Sequence, residues 1–145
     1  MALKALVVDD SKVMRMMVMS GLRKTGLAEF EFVEAEDGLQ ALEKLKEPGV
    51  GIAFVDWNMP NMTGLDFVKE VRKQPQFKTL PLVMVTSEKT MGKMEQALNE
   101  AGADAYICKP FTPEEMQQKL DKIVANAIAR LSKEAGGGLL GRIFG

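Results

Sequence analysis

Leu3-Lys4-Ala5-Leu6-Val7-Val8-Asp9-Asp10 is an apolar run that stops on two adjacent carboxylates. A second run, Ile52-Ala53-Phe54-Val55, stops on Asp56. Both are too continuously apolar to leave one face wet, so both read as inner strands of a parallel sheet covered by helices. In such sheets the working groups stand just beyond the carboxyl ends of the strands. Three carboxylates delivered to one crevice repel one another unless a cation lies among them. Oxygen-only ligands suit a hard divalent ion, Mg2+ before others. Two more runs end on chemistry, one at Thr86 and one in Cys108-Lys109-Pro110-Phe111. Taken singly, an Asp after a strand is a cap or turn residue, Asp-Asp before a helix is N-terminal capping, and Lys-Pro is a loop. Acid pair, lone Asp, Thr and Lys-Pro at successive strand ends form a signal that none of them carries alone.

Strand and helix patterns alternate five times along the chain, which predicts an α/β fold around a parallel sheet. The first strand covers residues 3–8. The first helix, Lys12–Thr25, carries Met14, Met17, Val18 and Leu22 at core spacing and stops at Gly26. Residues 31–35 are short and half polar, as suits an edge strand. Asp37 and Gln40 form a capping box for the second helix, which ends before Pro48. The third helix opens at Thr63 and runs to Lys73. A strand over 82–85, a helix over 91–101 and a strand over Ala105–Cys108 follow. Thr112-Pro113-Glu114-Glu115 starts the last helix, with proline at its first position and Glu115 closing the box. The chain has 11 methionines, four of them in the first helix, and they read as irregular core filling rather than as a binding groove.

Composition excludes several classes of function. With 19 basic and 20 acidic residues and no basic stripe interleaved with aromatics, nucleic-acid binding is not expected. No signal segment and no run of membrane-spanning length is present, so a cytoplasmic location is expected. One cysteine rules out an internal disulfide, and Cys108 in an apolar strand reads as packing. The chain has no histidine. It therefore supplies no Ser-His-Asp or Cys-His nucleophile, no histidine metal ligand and no phosphohistidine of its own. A phosphate-cradling Gly-x-x-x-x-Gly-Lys-Ser/Thr loop is also missing, and ATP binding is not supported.

The strand-end constellation resembles the receiver domain of two-component response regulators, and Val55-Asp56-Trp57-Asn58-Met59-Pro60-Asn61-Met62 is similar to the chemotaxis branch of that family. The resemblance covers about residues 3–130 and implies a doubly wound, flavodoxin-like, five-stranded parallel sheet of order 2-1-3-4-5 with five helices. It also implies that Asp56 accepts a phosphoryl group. Asp10, Asp56 and the backbone carbonyl of Asn58 would hold Mg2+, with Asp9 acting through water. Lys109 and Thr86 would read the phosphoryl group, and Tyr106 would report the state to the surface. Asn58 and Glu88 would tune the phosphoryl lifetime, and the Lys109-Pro110 peptide would be cis. Thr63 stands where the family more often has Asp, with little consequence expected because Thr also caps a helix.

The chemistry agrees with those assignments. A carboxylate can take a phosphoryl group as an acyl phosphate. The transition state spreads charge over three oxygens, so catalysis is mostly positioning and neutralisation. The implied partners are a histidine kinase as phosphodonor, a target such as a flagellar switch component, and a phosphatase, with a monomer as the expected state. Self-phosphorylation and self-hydrolysis would be single turnovers of a switch rather than an enzyme's cycle. Two alternatives share the site: a phosphate sink or relay intermediate, and a constitutive docking module with vestigial phosphorylation. Residues 1–133 form the expected receiver. In 134–145, Ala135-Gly136-Gly137-Gly138 reads as a hinge, followed by the apolar tail Leu139-Leu140-Gly141-Arg142-Ile143-Phe144-Gly145. That tail reads either as a disordered appendage or as a hook whose Leu139, Leu140, Ile143 and Phe144, on one helical face, suit an apolar groove on a partner or on the receiver itself.

Overall fold

The computed structural model describes the backbone of residues 2–144 and the side chains of residues 2–133. The elements run β1 (Ala2–Val8), α1 (Lys12–Thr25), β2 (Glu29–Ala35), α2 (Gly38–Leu45), β3 (Val50–Val55) and α3 (Gly64–Arg72). A 3-10 turn over Pro75–Phe77 then leads to β4 (Leu82–Thr86), α4 (Met91–Glu95), β5 (Ala105–Cys108) and α5 (Pro113–Phe144). The five strands form one sheet of order β2-β1-β3-β4-β5, and every pairing is parallel. The predicted order and doubly wound architecture are observed.

Alternation along each strand feeds two cores. Leu3, Ala5 and Val7 of β1, Ile52 and Phe54 of β3, and Val83 and Val85 of β4 meet Val18 and Leu22 of α1 and Met116, Leu120 and Val124 of α5. The intervening residues Leu6, Val8, Ala53, Val55, Leu82, Met84 and Tyr106 face α2, α3 and α4, packing with Ala41, Phe67, Val68 and Ala97. Helices on both faces explain why these strands lack a polar side. β2 lies at the edge, and its exposed glutamates alternate with half-buried Phe30 and Phe32.

The helix starts follow the capping chemistry. The side chains of Ser11, Asp37, Thr63 and Thr90 accept from the backbone N–H of Met14, Gln40, Asp66 and Lys93. Thr112 does the same for Glu115 at 3.1 Å. Thr63 thus caps α3 as its hydroxyl chemistry predicts.

Three expectations need correction. Met17 is 52 % exposed and Met16 56 %, while the buried stripe of α1 is Arg15, Val18, Leu22 and Thr25. A charged residue takes the first inward position, which displaces the methionine face toward solvent. α4 is α-helical only to Glu95 and continues as a π-helix over Gln96–Ala101. The wide register closes with Ala103 N–H donating to the Ala97 carbonyl at 2.8 Å, and Gly102 ends it at φ 95°. Finally, the α5 backbone is helical through 135–138, where composition predicts a hinge. Glycine disfavours a helix by about 1 kcal/mol per residue without sterically forbidding it. The apolar side chains of the tail lie outside the described residues.

Candidate functional site

The order 2-1-3 places the carboxyl ends of β1 and β3 side by side, at the point where the chain reverses its winding. The ladder continues one step past each strand. Asp56 N–H donates to the Val8 carbonyl at 2.9 Å, and Asp9 N–H donates to the Ala35 carbonyl at 3.1 Å. Asp9 and Asp56 are therefore fixed by the sheet itself. Ligand oxygens from Asp9, Asp10 and Asp56 all lie within 4.8 Å of one another. Asp9 is 3 % exposed and Asp56 9 %, whereas Asp10 opens to solvent.

Lys109 is delivered from the end of β5, where its backbone N–H donates to the Thr86 carbonyl at 2.9 Å. Its ammonium is 2.7 Å from Asp9 Oδ2 and 3.6 Å from Asp56 Oδ1. The Lys109-Pro110 peptide is cis, as the resemblance implied. Asp9 Oδ1 accepts from Ser11 N–H at 2.9 Å, so both oxygens of Asp9 already have partners. Burial is the main cause that lifts the Asp56 carboxyl above its ordinary range. Lys109 opposes the shift, Asp9 adds to it, and hydrogen bonds from Thr86 and Trp57 partly offset it.

Behind the carboxylates, Glu88 joins the neighbouring groups. Thr86 Oγ1 accepts from Glu88 N–H at 3.3 Å, and the Tyr106 hydroxyl donates to the Glu88 carbonyl at 2.6 Å. Tyr106 is 4 % exposed, and burial pushes its phenol up to about 12. Asn58 Nδ2 donates to Glu88 Oε1 at 2.9 Å across the mouth of the site. That bond is the chief cause holding the Glu88 carboxyl below its ordinary value. Asp9, Asp10, Asp56, Asn58, Thr86, Glu88 and Lys109 thus gather at the carboxyl edge of the sheet, and Tyr106, from inside β5, reaches it through its hydroxyl.

Residues 5–121 match the response regulator receiver domain. The chain belongs to that family. It is similar to chemotaxis protein CheY1 of Helicobacter pylori, at 42 % identity over 84 % of this chain and 97 % of that one. The likeness to chemotaxis protein CheY-3 of Vibrio cholerae is also 42 %, over 83 % of this chain and 91 % of that protein. Among solved structures, CheY4 of Vibrio cholerae matches with TM-score 0.74 and 38 % identity, over 84 % of this chain and 98 % of that one. A sensor histidine kinase receiver from Pseudomonas aeruginosa, described with magnesium coordinated in its active site cleft, matches with TM-score 0.74 and 25 % identity, covering 86 % and 99 %. This receiver is therefore of the CheY type, and its two-component family is settled.

Sequence reading missed two residues that shape the receiver site. Arg15 is buried, its NH1 donating to the Asp9 carbonyl and its Nε to Glu34 Oε1 at 2.9 Å. Its signal was its place on the 15-18-22-25 stripe, where a lone charge needs a nearby partner. Gly64 is the other: a Cβ there would lie 1.9 Å from the Asp56 carbonyl oxygen. Cys108 is half-buried against the α2–α3–α4 core, in keeping with a packing role. Among the described residues, no helix is long and apolar enough to cross a membrane.

Proposed function

We propose that this receiver is a phosphorylation-controlled switch, with Asp56 as phosphoacceptor and protein binding as its output. The observation that carries the reading is Asp56 at the end of β3, facing a Lys109 ammonium at 3.6 Å and sharing a 4.8 Å cluster with Asp9 and Asp10. The donor set is all oxygen and partly solvent-facing, which fits Mg2+. Asp10, Asp56 and the Asn58 carbonyl would hold it, with Asp9 acting through water, since both Asp9 oxygens are already engaged. When bound, Mg2+ neutralises charge on the phosphoryl oxygens.

The remaining steps belong to the protein. An Asp56 oxygen forms the new P–O bond as the donor's bond to phosphorus breaks, and the donor takes the leaving pair. Lys109 neutralises a second phosphoryl oxygen, and the Thr86 hydroxyl leaves Glu88 N–H to reach a third. That movement loosens the segment that holds the Tyr106 hydroxyl. The face built from α4, β5 and α5 changes with it, and target affinity follows the difference between the two states. A histidine kinase suits the donor role, because this chain has no histidine. The chemotaxis relatives favour a motility target such as a flagellar switch component.

Incubation with a small acyl phosphate and Mg2+ is expected to add one phosphoryl mass that is labile to base and hydroxylamine. Asp56→Asn should remove it. Persistence of the adduct in that variant would move the acceptor elsewhere. Target affinity that does not change with a phosphoryl mimic would favour a constitutive docking module.

A further inference from the structure

Glu88 is held at four of its atoms, and one of those contacts comes from a helix outside the carboxylate cluster. Lys93, on α4, places its ammonium 3.4 Å from Glu88 Oε2. The same ammonium stands 5.1 Å from the centroid of the Trp57 ring, the residue next to Asp56. Lys93 thus touches both loops that flank the phosphoacceptor, the one after β3 through Trp57 and the one after β4 through Glu88. Asn58 closes the circuit by bonding Glu88 Oε1 at 2.9 Å.

We propose that Lys93 is a positioning residue that keeps the Asn58–Glu88 bridge closed across the mouth of the site and thereby prolongs the life of the phosphoryl group on Asp56. The inference rests on the phosphoacceptor reading given above. Hydrolysis needs a water in line with the bond from phosphorus to the Asp56 oxygen. Side chains two positions past Asp56 and Thr86 border that approach, so their placement governs it. In the phosphorylated state Thr86 gives up its bond from Glu88 N–H. The hold of Lys93 on the Glu88 carboxylate then matters more than before. Without the ammonium, Glu88 is free to swing off Asn58, and water gains the approach.

Lys93 is 39 % exposed at its side chain, so each contact is individually weak. The combined effect is on the scale of an exposed ion pair plus a solvent-facing cation–π contact, roughly a two- to tenfold change in rate. The receiver is loaded with a small acyl phosphate and Mg2+, freed of donor, and followed by the decay of the phosphoryl mass. Lys93→Met keeps the stem and removes the charge, and is expected to lose the group two- to tenfold faster. Lys93→Arg restores both contacts and is expected to return the lifetime to within a factor of about two. Trp57 emission should shift in Lys93→Met and recover in Lys93→Arg, while Mg2+ affinity and thermal midpoint stay as in the wild type. A phosphorylated Lys93→Met that decays at the wild-type rate overturns the proposal and leaves the phosphoacceptor reading standing. So does a Lys93→Arg that decays like Lys93→Met. A wild-type chain that takes no phosphoryl group on Asp56 overturns both.

Discussion

Asp56 is a buried acid whose ionised form the fold disfavours, chiefly through desolvation. Its folded pKa lies above the unfolded value, so the sign of its contribution is fixed. Well below the ordinary aspartate range the residue is protonated in both states and neutral to stability. As pH rises through that range the unfolded chain ionises first, and stability falls until the folded carboxyl has ionised as well. At neutral pH without Mg2+, Asp56→Asn is therefore expected to raise the melting temperature, by roughly 2–4 °C for each kcal/mol relieved. The gain should vanish as pH falls through the ordinary carboxylate range, and scanning calorimetry of the two proteins across that range checks it. Equal melting temperatures at every pH would mean that Lys109 already cancels the penalty.

The helices show what the sequence makes legible and what it hides. Helix starts were readable because a capping side chain bonds a backbone N–H only three residues away, as at Ser11, Asp37 and Thr63. Inner strands were readable because two-sided burial removes every polar position. Asp9, Asp10, Asp56, Thr86 and Lys109 stood out in the sequence because they lie at or just past strand ends, whereas Asn58, Glu88 and Tyr106 were named only through the family resemblance. The inward face of α1 was not, since Arg15 is satisfied by the Asp9 carbonyl and by Glu34 of β2, a partner 19 positions away. The π register of α4 has no local signature either. Gly64 looks like an ordinary first residue of α3, yet its N–H donates to the Trp57 carbonyl at 2.9 Å and its α-carbon lies against Asp56. Gly64→Ala must displace that backbone, and is expected to lower stability by about 1–3 kcal/mol. Mg2+ affinity should fall several-fold with it, because the displaced backbone carries a ligand. Urea denaturation and a Mg2+ titration followed by Trp57 fluorescence measure the two effects together. Undisturbed values in both would mean that the loop has slack to give.

Across the whole molecule, the two edges of the sheet do different work. The carboxyl edge gathers charge around Asp56, while the amino edge is held by Arg72. From the end of α3, Arg72 Nε donates to the Gly102 carbonyl at 2.9 Å, and NH1 donates to the Phe77 and Leu80 carbonyls at 2.8 Å each. Its NH2 pairs with Asp104 at 2.9 Å, and the same Asp104 oxygen accepts Leu82 N–H at the start of β4. Arg72→Met strips a partner from the Gly102, Phe77, Lys78 and Leu80 carbonyls and from the Asp104 carboxylate, for an expected loss of about 2–4 kcal/mol. Mg2+ affinity should be unchanged, because the length of β4, roughly 15 Å, separates the two edges. A parallel loss of affinity would show that the edges are coupled. The outward turn of the α1 methionines also bears on how this protein ages. Met16, Met17 and Met91 are 56 %, 52 % and 85 % exposed, whereas Met84 and Met116 are fully shielded. Sulfur at the surface is oxidised before sulfur in the interior. Preparations kept in air or treated with dilute peroxide should gain sulfoxide at Met16, Met17 and Met91 long before Met84 or Met116, as peptide mapping will show. On α1 the new polar oxygen would sit in the groove shared by Met17 and Phe111, beside Lys109. The storage history of a sample thus becomes a variable in any measurement made at that end of the molecule.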